Sequence, residues 1–286
     1  MTSDQPQNEP GDGATRGAGR PPIIVGGCPR SGTTLLRLVL DSHPNIACGP
    51  ELKLLNPLAH SFLQIRNAFG PILRDGYGLT DADLAESFGR QIEFLLEKYA
   101  GRPGARRRAE KTPQNIHVFA QIAMMLPESP LVHVIRDGRD VVSSLLRQRW
   151  INPATGQPVP YNRDARIAAQ YWVKAVNDGR AVPAAARSRY LEIRYEDVVN
   201  DSERALRRLF DFVGEPWDPV VLRFHEHPHD FSRDEAGSHG TDLQKPIYTR
   251  AIGRWKTDLD DAQKAAVKDV AGALLEELGY GSSGDE

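Results

Sequence analysis

Residues 22–35, Pro-Ile-Ile-Val-Gly-Gly-Cys-Pro-Arg-Ser-Gly-Thr-Thr-Leu, constrain the fold more than any other stretch of the chain. A short apolar run enters a glycine-bounded loop, and an amphipathic segment leaves it, so the order is buried strand, tight loop, helix start. The backbone N–H groups of such a loop, and the N-terminus of the helix after it, form a cradle for a tetrahedral anion. Gly27 and Gly32 frame four residues, and Thr33 stands where a triphosphate-binding loop needs lysine. Without that lysine, and without an evident Mg²⁺ ligand, the loop is suited to a phosphate-like group handled without metal. Its remaining donors are Arg30, Ser31, Thr33 and Thr34, with Gly32 at the turn.

Apolar runs and amphipathic stretches alternate from Pro22 onward. Strands are expected at 23–25, 131–135 and 190–193. Helices are expected at 33–42, 52–69, 81–99, 114–126, 137–150, 164–181, 202–213 and 260–278. Strands this short, set between helices, imply an α/β fold with a central parallel sheet flanked by helices in three layers. Residues 102–108 read as a basic, solvated connection. A chain of 286 residues, 40% hydrophobic, can bury one sizeable core, so 21–286 is expected to be a single domain behind a disordered leader at 1–20. The polar stretch 227–254 is expected to be a covering flap.

A net charge of −2 gives no reason to expect nucleic acid as a partner. No run is apolar for long enough to span a membrane, and the first twenty residues lack a signal-peptide core, so a cytoplasmic location is expected. The two cysteines, Cys28 and Cys48, cannot make a disulfide framework. Cys28 is either activated by the helix N-terminus or a small buried filler, and filler is the commoner use.

The loop Gly-Gly-x-Pro-Arg-Ser-Gly-Thr-Thr-Leu resembles the 5′-phosphosulfate loop of sulfotransferases that use 3′-phosphoadenosine 5′-phosphosulfate (PAPS), and is most similar to the tyrosylprotein branch. The resemblance implies a P-loop-like fold, PAPS as sulfuryl donor and no metal. The segment Val134-Ile135-Arg136-Asp137-Gly138-Arg139-Asp140-Val141-Val142-Ser143-Ser144 extends it. Arg136 would end a strand and Ser144 lies two helical turns on, matching the family's Arg and Ser for the 3′-phosphate. Arginine's planar fork suits that contact. Asp137 reads as a helix cap, and Arg139 as either a cap partner or a site residue. The branch carries a further Arg where this chain has Gln148, between Arg147 and Arg149.

Cys48-Gly49-Pro50-Glu51-Leu52-Lys53 places Glu51 on the family's catalytic base, able to take the acceptor hydroxyl's proton. In Glu110-Lys111-Thr112-Pro113, Lys111 matches the lysine that neutralises the bridging oxygen, a task Arg30 would share. Near the C-terminus, Arg254 precedes Trp255 as in the family's flap, with Lys245 upstream, and Tyr195 is either beside the adenine or core. The family's flap serine falls one residue from Ser238.

The expected function is therefore sulfuryl transfer from PAPS to a hydroxyl, by in-line displacement with Glu51 as base. The rivals are a metal-dependent P-loop kinase and a non-catalytic nucleotide-binding module. Because Pro50 and Lys53 replace an acidic residue and an arginine of the branch, and no secretory signal is seen, the expected acceptor is a small-molecule, lipid or glycan hydroxyl in preference to a peptide tyrosine.

Overall fold

The computed structural model describes residues 19–99, 101, 104–152, 155–231 and 245–281. Its centre is a sheet of five parallel strands: β1 (Arg20–Gly27), β2 (Ile46–Cys48), β3 (Arg107–Lys111), β4 (Leu131–Ile135) and β5 (Tyr190–Arg194). Their spatial order is β2-β3-β1-β4-β5.

Period-two alternation sends successive strand residues to opposite faces, and the core divides accordingly. Ile24, Leu131 and Ile135 face one cluster; Ile23, Val25, Val132 and Val134 face the other. The helices are α1 (Thr33–Ser42), α2 (Leu55–Tyr77), α3 (Asp81–Glu97), α4 (Phe119–Met125), α5 (Gly138–Leu146), α6 (Ala165–Arg180), α7 (Tyr195–Asn200), α8 (Ser202–Val213), α9 (Trp255–Asp258) and α10 (Asp261–Glu277). Helices α2, α3, α4, α6 and α10 supply the first face, and α1 and α8 the second.

Several expectations are corrected. Strand β3 replaces the end of the solvated connection expected at 102–108. Its sequence, Arg-Arg-Ala-Glu-Lys, has no apolar pattern, yet it lies between β1 and β2, and Arg107, Ala109, Glu110 and Lys111 are buried. Burial is tolerated because each charge is paired. Arg107 donates to the Pro21 carbonyl at 2.8 Å and reaches Glu215 at 3.2 Å, and it also donates to the Val213 carbonyl. Strand β2, three residues long, was also not expected.

The helix expected at 52–69 begins only at Leu55, because Lys53 takes the left-handed conformation (φ 57°), and it runs on to Tyr77. The helix expected at 114–126 is a 3₁₀ turn, Pro113–Val118, followed by α4, and the one expected at 137–150 ends at Leu146. Of the expected leader, residues 1–18 lie outside the described residues and Arg20 already belongs to β1; of the expected flap, 232–244, with Ser238, lie outside them.

Candidate active site

Every strand delivers part of the site from its carboxyl end, where open α/β sheets bind ligands. In spatial order, Glu51 follows β2, Lys111 ends β3, the loop 28–32 follows β1, Arg136 follows β4 and Tyr195 follows β5. Arg30, Gly32, Glu51, Arg136 and Tyr195 line a cleft of about 1390 Å³, and Lys111, fully buried, pairs with Glu51 at its wall.

The loop is shaped by two left-handed residues, Arg30 (φ 74°) and Gly32 (φ 95°). At Gly32 a Cβ would stand 2.4 Å from Tyr195 Cδ2, so glycine is needed for both its conformation and its close approach. Ser31 Oγ is buried with no hydrogen-bond partner among the described residues, as is Arg136 Nε. Buried polar atoms are normally satisfied, and here both can donate, which points to an anionic ligand as the missing acceptor.

The second motif meets the loop as its spacing predicts. Arg30 Nε donates to Ser144 Oγ at 3.0 Å, and Arg136 Nη1 donates to the Arg30 carbonyl at 3.0 Å. The Arg136 guanidinium lies 4.6 Å from the centre of the Tyr195 ring, so Tyr195 is both buried and a wall of the cleft. Burial, with the neighbouring guanidiniums of Arg136 and Arg147, pulls Arg30 down to about 10. Cations gathered this closely repel one another until an anion neutralises them.

Lys111 is fully buried, and its Nζ lies 2.6 Å from Glu51 Oε1 and 3.3 Å from Thr34 Oγ1. One ammonium therefore links the acid of the β2 segment to the anion loop. Lys53 Nζ stands 3.8 Å from the other Glu51 oxygen. Thr33 and Thr34 line the cleft at the start of α1.

The flap's end is tied down by a residue whose role the sequence did not reveal. Asp140, buried in the first turn of α5, accepts from the Gly253 N–H at 2.8 Å and the Trp255 N–H at 2.9 Å, while Arg136 donates to the Ala251 carbonyl. Its position four residues after Arg136 is the one sequence clue. Arg254 and Lys245 line the same cleft, with Arg254 Nε 3.3 Å from Asp258. Arg147, Gln148 and Arg149 line it too, so neighbouring arginines stand beside the glutamine.

Arg139 is structural: it pairs with Asp137, donates to the Tyr280 carbonyl at 2.9 Å and stacks 4.2 Å over Trp255. Asp137 caps α5 as expected. Cys28 is a buried filler whose thiol burial pushes up, not an activated one. Of the apolar residues near Glu51, Leu55 and Phe62 are core, whereas Trp150 lines the cleft with Tyr161, whose ring stacks on Tyr171 at 4.4 Å.

An anion loop opposite a carboxylate–ammonium pair, on a parallel sheet of this order, defines a class of group-transfer proteins. The chain belongs to the sulfotransferase family, whose description, "Sulfotransferase family", matches residues 21–219. It is an enzyme that transfers a sulfuryl group to a hydroxyl acceptor. Among its relatives is "Protein-tyrosine sulfotransferase 1" of Danio rerio, 28% identical over 266 residues that cover 91% of this chain and 72% of that protein. The "Protein-tyrosine sulfotransferase" of Drosophila melanogaster is 25% identical over 267 residues, and there the chain spans about half the relative's length, 52%.

The fold is shared with a sulfotransferase domain from the Synechococcus PCC 7002 olefin synthase (TM-score 0.59, 23% identity, 88% of this chain and 94% of that one). It is shared too with a mouse sulfotransferase complexed with PAP (TM-score 0.55, 14% identity, 92% and 88%). These relatives overturn the expected preference for a metabolite, lipid or glycan over a peptide tyrosine: the curated ones are protein-tyrosine sulfotransferases. The substitution of lysine for arginine weighed too heavily in that preference, since Lys53 still brings a cation to Glu51.

Proposed function

We propose that the protein transfers the sulfuryl group of PAPS to the phenolic oxygen of a peptide tyrosine. The observation that carries this reading is the Lys111 ammonium, held between Glu51 at 2.6 Å and Thr34 at 3.3 Å. It joins a proton acceptor on one side to the anion loop on the other. The relatives, which are protein-tyrosine sulfotransferases, support the acceptor, and the fold neighbour complexed with PAP supports the donor.

In this reading the loop amides of residues 31–34 and the N-terminus of α1 hold the phosphosulfate. Arg136, Ser144 and Arg254 recognise the 3′-phosphate, Tyr195 stands beside the adenine, and Lys245 adds charge from the flap. The acceptor oxygen bonds to sulfur as the bond from sulfur to the phosphate oxygen breaks, with the two oxygens in line. The phenolic proton passes to Glu51, and Lys111 with Arg30 neutralises the oxygen of the departing nucleotide.

The test is titration of adenosine 3′,5′-bisphosphate (PAP) and of 5′-AMP in the absence of metal, together with turnover of PAPS and a tyrosine peptide. PAP should bind far more tightly than 5′-AMP, and the difference should vanish in Arg136→Ala. Glu51→Gln should lower kcat by a factor on the order of 10²–10⁴ while leaving PAP affinity nearly unchanged. Equal binding of the two nucleotides, or full turnover by Glu51→Gln, would overturn the reading.

A further inference from the structure

The segment that carries Glu51 has no regular structure of its own between β2 and α2, yet it is held by a buried bracket. Glu110, buried on β3 beside Lys111, accepts from the Leu52 N–H at 3.2 Å and from Thr112 Oγ1 at 2.6 Å, and the Asn115 side-chain amide donates to its other oxygen. Thr112 Oγ1 in turn accepts from the Lys53 N–H at 3.2 Å. Asn115 Nδ2 is shared with the Val25 carbonyl of β1 at 3.3 Å. The two backbone amides directly after Glu51 are thus fastened to the residues on either side of Lys111, Glu110 on β3 and Thr112 just beyond it. Lys53 is held at φ 57°, a conformation that residues with a Cβ seldom adopt unless neighbouring contacts impose it.

We infer that Glu110, acting with Thr112 and Asn115, is a positioning residue that sets the Glu51 carboxylate in register with the Lys111 ammonium. The inference rests on Glu51 being the base. Three donors converge on a carboxylate whose burial pushes it up toward its neutral form, and the hydrogen bonds from Thr112, Asn115 and the Leu52 amide, with Lys111, offset that push only in part. The bracket's hydrogen bonds run to the Leu52 and Lys53 amides and to the Val25 carbonyl, so its loss should affect the geometry of proton transfer and spare the grip on the nucleotide. A misplacement of about 1 Å at a reacting group can cost on the order of a hundredfold in rate.

The experiment compares Thr112→Val, which keeps the shape and removes the hydroxyl, with Thr112→Ser, which restores it, and repeats the comparison with Glu110→Ala and Glu110→Gln. PAP affinity, measured on the same samples, reports the folded nucleotide site. Thr112→Val should lose roughly ten- to a hundredfold in kcat with the KM for PAPS and the Kd for PAP within about twofold of the parent, and Thr112→Ser should recover most of the rate. Glu110→Gln should exceed Glu110→Ala in kcat, because it keeps the oxygen that the Leu52 amide and Thr112 reach. A Thr112→Val enzyme as fast as the parent, or one losing PAP affinity and kcat in equal measure, would overturn the inference. If the parent enzyme binds PAP but transfers nothing to a tyrosine peptide, the proposed function and this role fall together. A parent that turns over with Thr112→Val at equal speed removes the role alone.

Discussion

At the scale of single residues, the site depends on positions where one atom more or less changes the outcome. Gly32 takes φ 95°, and an added methyl would sit 2.4 Å from the Tyr195 ring. Gly32→Ala is expected to cost about 1–3 kcal/mol of stability and to displace the loop, read as a lower urea midpoint and a loss of PAP binding. The loop motif was legible because a turn of this kind has few chemical solutions. The roles of Asp140 and Glu110 were not, since a carboxylate's role depends on which N–H groups the fold brings to it. Lys111 was legible only as part of a motif: a lysine on a charged pentapeptide gives no hint of burial, and only the structure brings Glu51 and Thr34 to it.

At the scale of elements, α5 does two tasks at once. Its N-terminal turn carries Asp140, which holds the backbone at Gly253 and Trp255, and Ser144 on its next turns meets Arg30. The contact to Arg30 and the anchoring of the backbone at 253–255 therefore share one helix. Asp140→Ala should release the segment 251–255 and weaken PAP binding by roughly tenfold, as expected for losing hydrogen bonds to a charged group. Calorimetric titration would check it, and unchanged affinity would mean that Asp140 stabilises the flap without influencing the site. Helix α5 also shows why element ends resist reading from sequence: its start is written in the Asp137 cap, but Arg147 closes it in a position that nothing in 146–150 specifies.

At the scale of the whole molecule, the packing of α6 onto the sheet buries a titratable group that the site does not use. His133 lies on β4, fully buried, with Nδ1 2.7 Å from the Tyr190 hydroxyl and Gly179 of α6 packed against the ring. Burial pulls it down to about 3 from its ordinary 6.5. Between those values the unfolded chain binds the extra proton, so this contribution to stability is complete above pH 6.5 and is lost as the pH falls toward 3. His117, also drawn down by burial, acts in the same direction. Urea unfolding at pH 7, 5 and 4 should show stability falling with acidification, with up to about 1.4 kcal/mol per pH unit from His133. His133→Gln should flatten that slope.

The alternation of apolar runs and helices by itself determined the α/β class and three of the five strands, because β1, β4 and β5 carry apolar runs that a buried parallel strand favours. The anion loop was legible from local order, and Arg136, Ser144 and Glu51 from the resemblance of their motifs to those of sulfotransferases. Strands β2 and β3, the bracket behind Glu51, the Asp140 clamp and the aromatic wall of Trp150 and Tyr161 were decided only by tertiary structure. The physical reason is common to them. A charged strand becomes buried, and a carboxylate becomes an anchor, when partners distant in sequence neutralise it, and Arg107 with Glu215 or Glu110 with the Leu52 amide come together only once the sheet has formed.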